Sequence, residues 1–402
     1  MASRQWIGGG VTAALGFHAS GISAGVKRSR KPDLSLVVAE HPAVCAATFT
    51  TNCVKAAPVL ISMQRVRKGA ARAILLNSGC ANCMTGRSGY QDALTLGRHA
   101  ARALGVADSQ VLLASTGMIG RRLPVARMLR KIPALIDALS RQGHREAALG
   151  ILTTDVKPKE AALQTRLDGR WVRVGGMVKG AGMIAPHMAT MLCVVTTDAA
   201  IDRGLLARLL REAVERSFNR VTVDGDMSTN DTVFALASGA SGVRIRSGTR
   251  RAAAFAEMLS RVAQRLAAML VEDGEGVTRV ALVEVSGAKT EADAQRCARQ
   301  VANSPLVKTM LAGGDPNVGR VAAAAGASGA RFNPDRLEIR VGGVPVVVRG
   351  EARRIAKGAA KQLMAPKTIS LEVCLHAGTA SARVLTGDFT EEYVRINARY
   401  ST

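Results

Sequence analysis

A lysine opens the run KGAGMIAPHMATML at Lys179, and within it the Ala189–Thr190 bond lies between a glycine-rich approach and the apolar run Met191 to Val195. Scission there would free a threonine carrying its own α-amine, so a single residue would supply both a nucleophilic hydroxyl and the base that deprotonates it. An α-amino group titrates near about 8, which leaves a useful neutral fraction at physiological pH. Thr190 is therefore the candidate nucleophile. Such a cut would divide the chain into 1–189 and 190–402. His187 is the other nearby base, but after the cut it would belong to the upstream fragment, and it reads as a structural histidine. Gly180 and Gly182 give the approach a permissive backbone, and Pro186 prevents regular helix beside the bond. On spacing alone this signal is weak, because glycine-rich turns leading into strands are common.

The elements that must position these residues alternate along the chain. Short apolar runs bounded by turns predict strands at Leu34 to Val38, Ala73 to Leu76, Met191 to Val195, Val280 to Val285 and Ile369 to Leu375. After Asp202, a plausible N-cap, the residues Leu205, Leu206, Leu209, Leu210, Ala213 and Val214 share one helical face. Further helices are expected over Ala252 to Val271 and Thr290 to Val301. Gly342-Gly343 signals a hairpin within Leu337 to Gly350, with Pro345 suited to an edge strand. This alternation indicates layered α/β architecture. No short repeat and no low-complexity linker interrupts it, so two halves in one body with a boundary near Thr190 are expected.

Composition bounds the function classes. The 402 residues are 48% hydrophobic and 21% charged, ample for a buried core without disulfide staples. Aromatics are only 3%, which argues against base-stacking platforms for single strands. Seven scattered cysteines fit a reducing cytoplasm better than a secreted framework. Cys80-Ala81-Asn82-Cys83 has neither a second cysteine pair nor a histidine pair at zinc spacing and follows Asn77-Ser78-Gly79 in what reads as a turn, so no metal, redox role or cofactor is expected. The net charge of +24 favours polyanions in general. Its arginines and lysines, as in Lys27-Arg28-Ser29-Arg30-Lys31 or Arg121-Arg122, are spread without a nucleic-acid motif and read as a solvated surface. No apolar run reaches membrane-spanning length. The first 32 residues lack acids, yet their weakly apolar stretch has no signal-peptide core and reads as part of the folded body.

Many ordered segments tie the whole chain to one family. They include GFHASG from Gly16, DLSLV from Asp33, FTTN from Phe49, AAPV from Ala56, NSGCAN from Asn77, STGMIG from Ser115 and TTDVKPK from Thr153. KGAGMIAPHMATMLCVVTTDA, DGDMSTNDT from Asp224, DGEG from Asp273, SPLVKTMLAGGDPNVGR from Ser304 and the terminal YVRINARYST follow in order. In these segments the chain resembles the ornithine acetyltransferases, also called bifunctional glutamate N-acetyltransferases. The resemblance implies a layered αββα sandwich of the self-cleaving DmpA/ArgJ-like type. It implies cleavage between Ala189 and Thr190, with the fragments kept together as α and β chains of a heterotetramer. Thr190 is then the acylated nucleophile, and Thr116 with Gly117 form the oxyanion hole. Substrate-binding positions carry over to the Thr153-Thr154 pair, Lys179, Thr190, Glu275, Asn397 and Thr402.

The implied reaction moves acetyl from N-acetylornithine to glutamate in arginine biosynthesis, with acetyl-CoA a second donor in some relatives. Lys179 suits a substrate carboxylate and Glu275 the ornithine ammonium. Locally, Thr116-Gly117 also reads as a turn, Lys179 as a charge, Glu275 as a helix-terminal acid and DGDMSTNDT as a packed turn. The rival functions are a self-cleaving aminopeptidase, in which water resolves the acyl-enzyme, and a basic nucleic-acid-binding protein. Val318 stands where the family usually carries tryptophan, and Cys80 where it usually carries asparagine.

Overall fold

The computed structural model describes residues 4–185 and 191–399. Ala189, Thr190 and Thr402, and with them His187, lie outside the described residues.

The chain forms two compact units. The first takes in the chain to Met183, then 191–219 and Asp226–Leu270; the second holds 184–185, Arg220–Gly225 and Val271 onward. The first unit is built on a nine-stranded mixed sheet. The strand Leu34–Phe49 runs well beyond the five residues expected from its apolar run, because burial resumes at Ala43, Cys45 and Ala46 after the exposed positions 40–42. The strands Ala70–Cys80 and Val111–Met118 lie parallel, joined through the helix Gly86–Leu104.

Period-two alternation gives these strands two buried faces. Ala73, Leu75, Val111 and Leu113 meet Ala93, Leu96 and Ala100 of the helix Gly86–Leu104 and Ile132 and Leu135 of the helix Val125–Asp137. Ile74, Leu76, Leu112 and Ala114 share the opposite core with Phe17, Phe234 and Ala147.

The expected strand from Met191 is the strand Leu192–Thr197, buried at every position. It pairs antiparallel with Arg170–Lys179 and parallel with Thr232–Ala237. Covered on both faces and paired on both edges, it needs a continuous apolar run, which is how it reads in sequence. Strands from both sides of the Ala189–Thr190 bond thus share one sheet.

The Asp202 N-cap is in place, its carboxylate accepting the Leu205 N–H at 2.9 Å ahead of the helix Arg203–Glu215. The long helix spans Arg250–Glu272. In the second unit a seven-stranded sheet is centred on Val280–Ala288 and Thr368–Cys374. The helices Glu291–Asn303, Pro305–Gly313 and Val318–Gly326 share its core. The hairpin forms from Glu338–Val341 and Val344–Val348, with Gly342 and Gly343 at φ 57° and 80°, values that favour glycine. Pro345 needs no outer partner, since the short strand Glu351–Ala352 pairs only with Val347 and Val348. Val318, where a tryptophan was expected, packs partly buried against this core.

Mixed sheets carrying helices bear out the α/β class, and they are consistent with the layered αββα type. No helix among the described residues is long and apolar enough to cross a membrane.

Candidate active site

Thr116 and Gly117 lie near the end of the strand Val111–Met118, where the parallel ladder with Ala70–Cys80 becomes irregular. Gly117 pairs with Gly79 and adopts φ 124°. A Cβ there would come within 2.4 Å of the Gly79 carbonyl carbon and 2.6 Å of the Cys80 nitrogen, so only glycine fits. This is why Gly117 is not an interchangeable turn residue. Thr116 is 4% exposed, and Lys179 Nζ donates to its hydroxyl across 3.4 Å.

Lys179 ends the strand Arg170–Lys179 and is itself buried. Its counter-charge is Asp155, whose Oδ2 lies 4.0 Å from Nζ. The side chain of Asp155 is inaccessible, yet it is fully engaged. Oδ1 accepts from Lys159 Nζ at 2.6 Å and from the Gly180 N–H at 2.7 Å, and Oδ2 accepts the Thr153 N–H at 2.9 Å. Burial alone would push this carboxyl up; the charges of Lys179 and Lys159 and the hydrogen bonds outweigh it and hold the group below the usual carboxylate range. The outcome is a buried anion with two ammonium partners and two backbone donors, a fixed electrostatic frame beside Thr116.

Lys179 thus links Thr116 to Asp155, which also holds Thr153, and Gly117 follows Thr116 on its strand. Of the threonine pair, Thr153 faces that carboxylate, its hydroxyl 3.4 Å from Oδ2, while Thr154 is half-buried beside it. In the second unit Glu275 and Asn397 meet directly, Asn397 Nδ2 donating to Glu275 Oε2 at 2.8 Å. Glu275 is 8% exposed, which is unlike a solvated helix-terminal acid.

Sequence reasoning passed over Asp155. It lies inside TTDVKPK, and its signal is an acid four residues ahead of a lysine in a chain with far more bases than acids. Asp231 was also missed. DGDMSTNDT is a packed turn at its buried end: Asn230 Nδ2 donates to the carbonyls of Ala81 and Ser115, both at 2.7 Å. Asp231 Oδ1 accepts the Met191 N–H at 2.8 Å, and burial pushes its carboxyl well above the ordinary value, against the Met191 N–H and the charge of Lys179.

Cys80 and Cys83 are buried free thiols. The Cys80 thiol lies 3.2 Å from the Arg121 carbonyl, and burial raises its pKa, which suits packing more than reactivity. Among the described residues no group of three or more His, Cys, Asp or Glu could hold a metal ion.

Comparison with known proteins extends over nearly the whole chain. The ArgJ family profile matches residues 18–402. Arginine biosynthesis bifunctional protein ArgJ of Symbiobacterium thermophilum is 44% identical over 401 residues, covering 99% of this chain and 100% of that protein. The protein of that name from Synechococcus is 45% identical over 414 residues, with coverage of 100% and 99%. A solved structure of ornithine acetyltransferase complexed with ornithine, from Mycobacterium tuberculosis, is 40% identical and covers 47% of this chain and 100% of that one, with a TM-score of 0.44. The chain is thus an acetyltransferase of arginine biosynthesis. It belongs to the ArgJ family, the glutamate N-acetyltransferases also known as ornithine acetyltransferases.

Proposed function

We propose that the chain cuts itself between Ala189 and Thr190 and then transfers acetyl from N-acetylornithine to glutamate through an acetyl-Thr190 intermediate. The supporting observation is Thr116 and Gly117 beside the buried Lys179, in a chain of the ArgJ family. In the first half-reaction the Thr190 α-amine takes the hydroxyl proton as the oxygen attacks the acetamide carbonyl. The Thr116 hydroxyl and Gly117 N–H receive the oxyanion that develops. The C–N bond then breaks, the proton passes to the departing ornithine amine, and an acetyl ester remains. In the second half the neutral glutamate amine attacks that ester, and Thr190 regains its hydroxyl proton as N-acetylglutamate leaves. Because the donors are fixed beforehand, they stabilise the charge where it appears in the transition state.

By family resemblance Lys179 receives a substrate carboxylate and Glu275, to which Asn397 donates, the ornithine ammonium; Asn397, Thr402 and Thr153 or Thr154 are the further substrate-binding positions. Acetyl-CoA serves as a second donor, and the fragments 1–189 and 190–402 remain together as α and β chains of a heterotetramer.

Intact mass spectrometry of the purified protein, with and without N-acetylornithine, tests the reading. Two fragments with an acetyl adduct on the one beginning at Thr190 are expected. Full transfer activity in an uncut chain, or in a Thr190→Ala variant, sinks it. Water-resolved release of acetate without transfer to glutamate would move the chain to the aminopeptidase class.

A further inference from the structure

A second, strongly basic pocket lies in the first unit, beside the strand end that carries Thr116 and Gly117. It holds about 590 Å³ of space, part of it open to solvent, and is lined by Lys27, Arg28, Arg121, Arg122 and Arg127, with Gly79 and Cys80 beneath. Among the described residues no acidic side chain lines it. Arg122 is bound to Asp92 through two hydrogen bonds of 2.8 and 2.9 Å. Arg127 and Arg121 turn instead to neutral acceptors, the Gly25 carbonyl at 3.4 Å and the Met118 sulfur at 3.8 Å. Lys27 Nζ donates to the Pro32 carbonyl at 2.8 Å.

The wall is held without any ligand. Asp33 accepts the backbone N–H groups of Ala24, Val26 and Lys27 at 2.6, 2.7 and 2.9 Å, which fixes the loop that carries Lys27 and Arg28. Gly79, at φ 98°, is required because a Cβ would come within 2.9 Å of Lys27 Cγ. Gathering five cations with a single bonded carboxylate is unfavourable in the empty protein, and a concave site concentrates that positive potential on an anionic ligand. Burial lowers Lys27 to about 8, with Asp33 and Asp155 opposing and Lys179 adding to the shift, so the pocket and the Thr116–Lys179 group share one field.

We propose that this pocket binds the phosphate groups of an acyl-coenzyme A donor and so serves the same acyl-transfer site, an assignment that rests on the acetyltransferase reading above. Adjacency supports it. Gly79 pairs with Gly117 and Cys80 with Thr116 and Met118, so the pocket floor adjoins the strand end that carries the oxyanion donors, within reach of the pantetheine arm that separates a coenzyme A thioester from its phosphates. Charge supports it as well. An amino-acid donor brings one or two carboxylates, whereas a diphosphate and a ribose phosphate match a cluster of arginine forks, which bind phosphate oxygens in bidentate fashion.

The test uses processed wild-type enzyme and an Arg28→Ala/Arg127→Ala variant, with glutamate as acceptor and three donors: acetyl-CoA, S-acetylpantetheine and N-acetylornithine. Wild-type KM is expected to be far lower for acetyl-CoA than for S-acetylpantetheine, which has the same thioester without the phosphates. The variant should raise KM for acetyl-CoA about tenfold or more, the loss typical of a charge-assisted bond, and leave the other two donors nearly unchanged. Free CoA should compete with acetyl-CoA far better than inorganic phosphate does.

Equal KM values for the two thioesters overturn the assignment, as does an equal loss with all three donors. So does competition by single-stranded RNA but not by CoA. Turnover of N-acetylornithine without turnover of acetyl-CoA removes this proposal and leaves the transfer reading standing, whereas failure with N-acetylornithine counts against that reading alone. Should the variant fold poorly, calorimetric titration of the wild type with CoA decides, and absence of binding overturns the proposal.

Discussion

Asp231 accepts the backbone N–H of Met191 at 2.8 Å, so a fully buried carboxyl grips the amide immediately after Thr190. Asp231 directly precedes the strand Thr232–Ala237, whose parallel ladder with Leu192–Thr197 begins at Thr232 and Leu192. The hydrogen bond therefore continues the sheet by one step along the chain toward the proposed nucleophile.

Replacing Asp231 with alanine leaves the Met191 N–H buried without an acceptor, which costs about 1–3 kcal/mol. Asp231→Asn keeps an acceptor oxygen and removes the titration. Burial raises this carboxyl, so the folded state holds its proton more tightly than the unfolded chain, whose aspartates titrate near about 3.9. The contribution of Asp231 to stability must then fall as pH rises from that value through the folded one. Thermal denaturation across pH should show the asparagine variant gaining on wild type as pH increases. In a time course of fragment formation, alanine should delay the cut and asparagine much less; equal delay in both would mean that the acceptor has no role in presenting the bond.

Asp155 behaves in the opposite sense. Its folded pKa is depressed, so its contribution is present above the unfolded value of about 3.9 and is lost as pH falls toward the folded one. Asp155→Asn would leave the buried ammonium groups of Lys159 and Lys179 without their shared anion, a loss of about 3–5 kcal/mol by comparison with other broken buried pairs. Urea denaturation should register it, and adding Lys159→Met to Asp155→Asn should recover part of it. No recovery would show that the geometry around Gly180, more than charge balance, sets the cost.

The proposed oxyanion pair, Thr116 and Gly117, makes a sharper prediction. Gly117→Ala cannot be accommodated beside Gly79 and Cys80, so it should abolish both processing and transfer through local distortion. Thr116→Ala removes the hydroxyl and the γ-methyl without forcing a clash on the backbone, and should lower kcat by a factor of about 10²–10³, the loss of one oxyanion donor. Steady-state kinetics on processed protein would separate the two. A Thr116→Ala variant with unchanged kcat would remove the hydroxyl from the mechanism.

The sequence was most legible where local rules and burial agree. Asp202 as an N-cap, the glycine hairpin at Gly342-Gly343 and the fully buried strand after Thr190 all follow from patterns that tertiary contacts reinforce. The strands Lys159–Leu167 and Arg170–Lys179 were missed because they mix charged with apolar positions, Arg166, Arg170 and Arg173 among them, and no continuous run announces them. Thr116, Gly117, Lys179 and Glu275 were readable through motifs. Their positioning groups were not, because the roles of Asp155 and Asp231 depend on partners 24 and 40 residues away, Lys179 and Met191, and no local spacing encodes such contacts.

The sheet itself predicts how a cut protein behaves. Strand Arg170–Lys179, upstream of the proposed scission, pairs with Leu192–Thr197 downstream from Val174 with Thr197 to Lys179 with Leu192. Downstream strand Thr232–Ala237 pairs in turn with the upstream strand Leu34–Phe49, from Thr232 with Phe49 to Ala237 with Val44. Two ladders and the core containing Ile74, Leu112, Val194 and Phe234 therefore join the pieces. Breaking one backbone bond removes neither. The fragments should elute together in size-exclusion chromatography and separate only under denaturing conditions, with salt having little effect because the joint is hydrogen-bonded and apolar. Phe234, fully buried and edge-to-face with Phe49 at 6.0 Å, is the position at which to weaken it. Phe234→Ala should destabilise the protein by about 3–5 kcal/mol and lower the denaturant concentration at which the fragments part. Dissociation of the wild-type fragments in dilute native buffer would show that the shared sheet does not hold them.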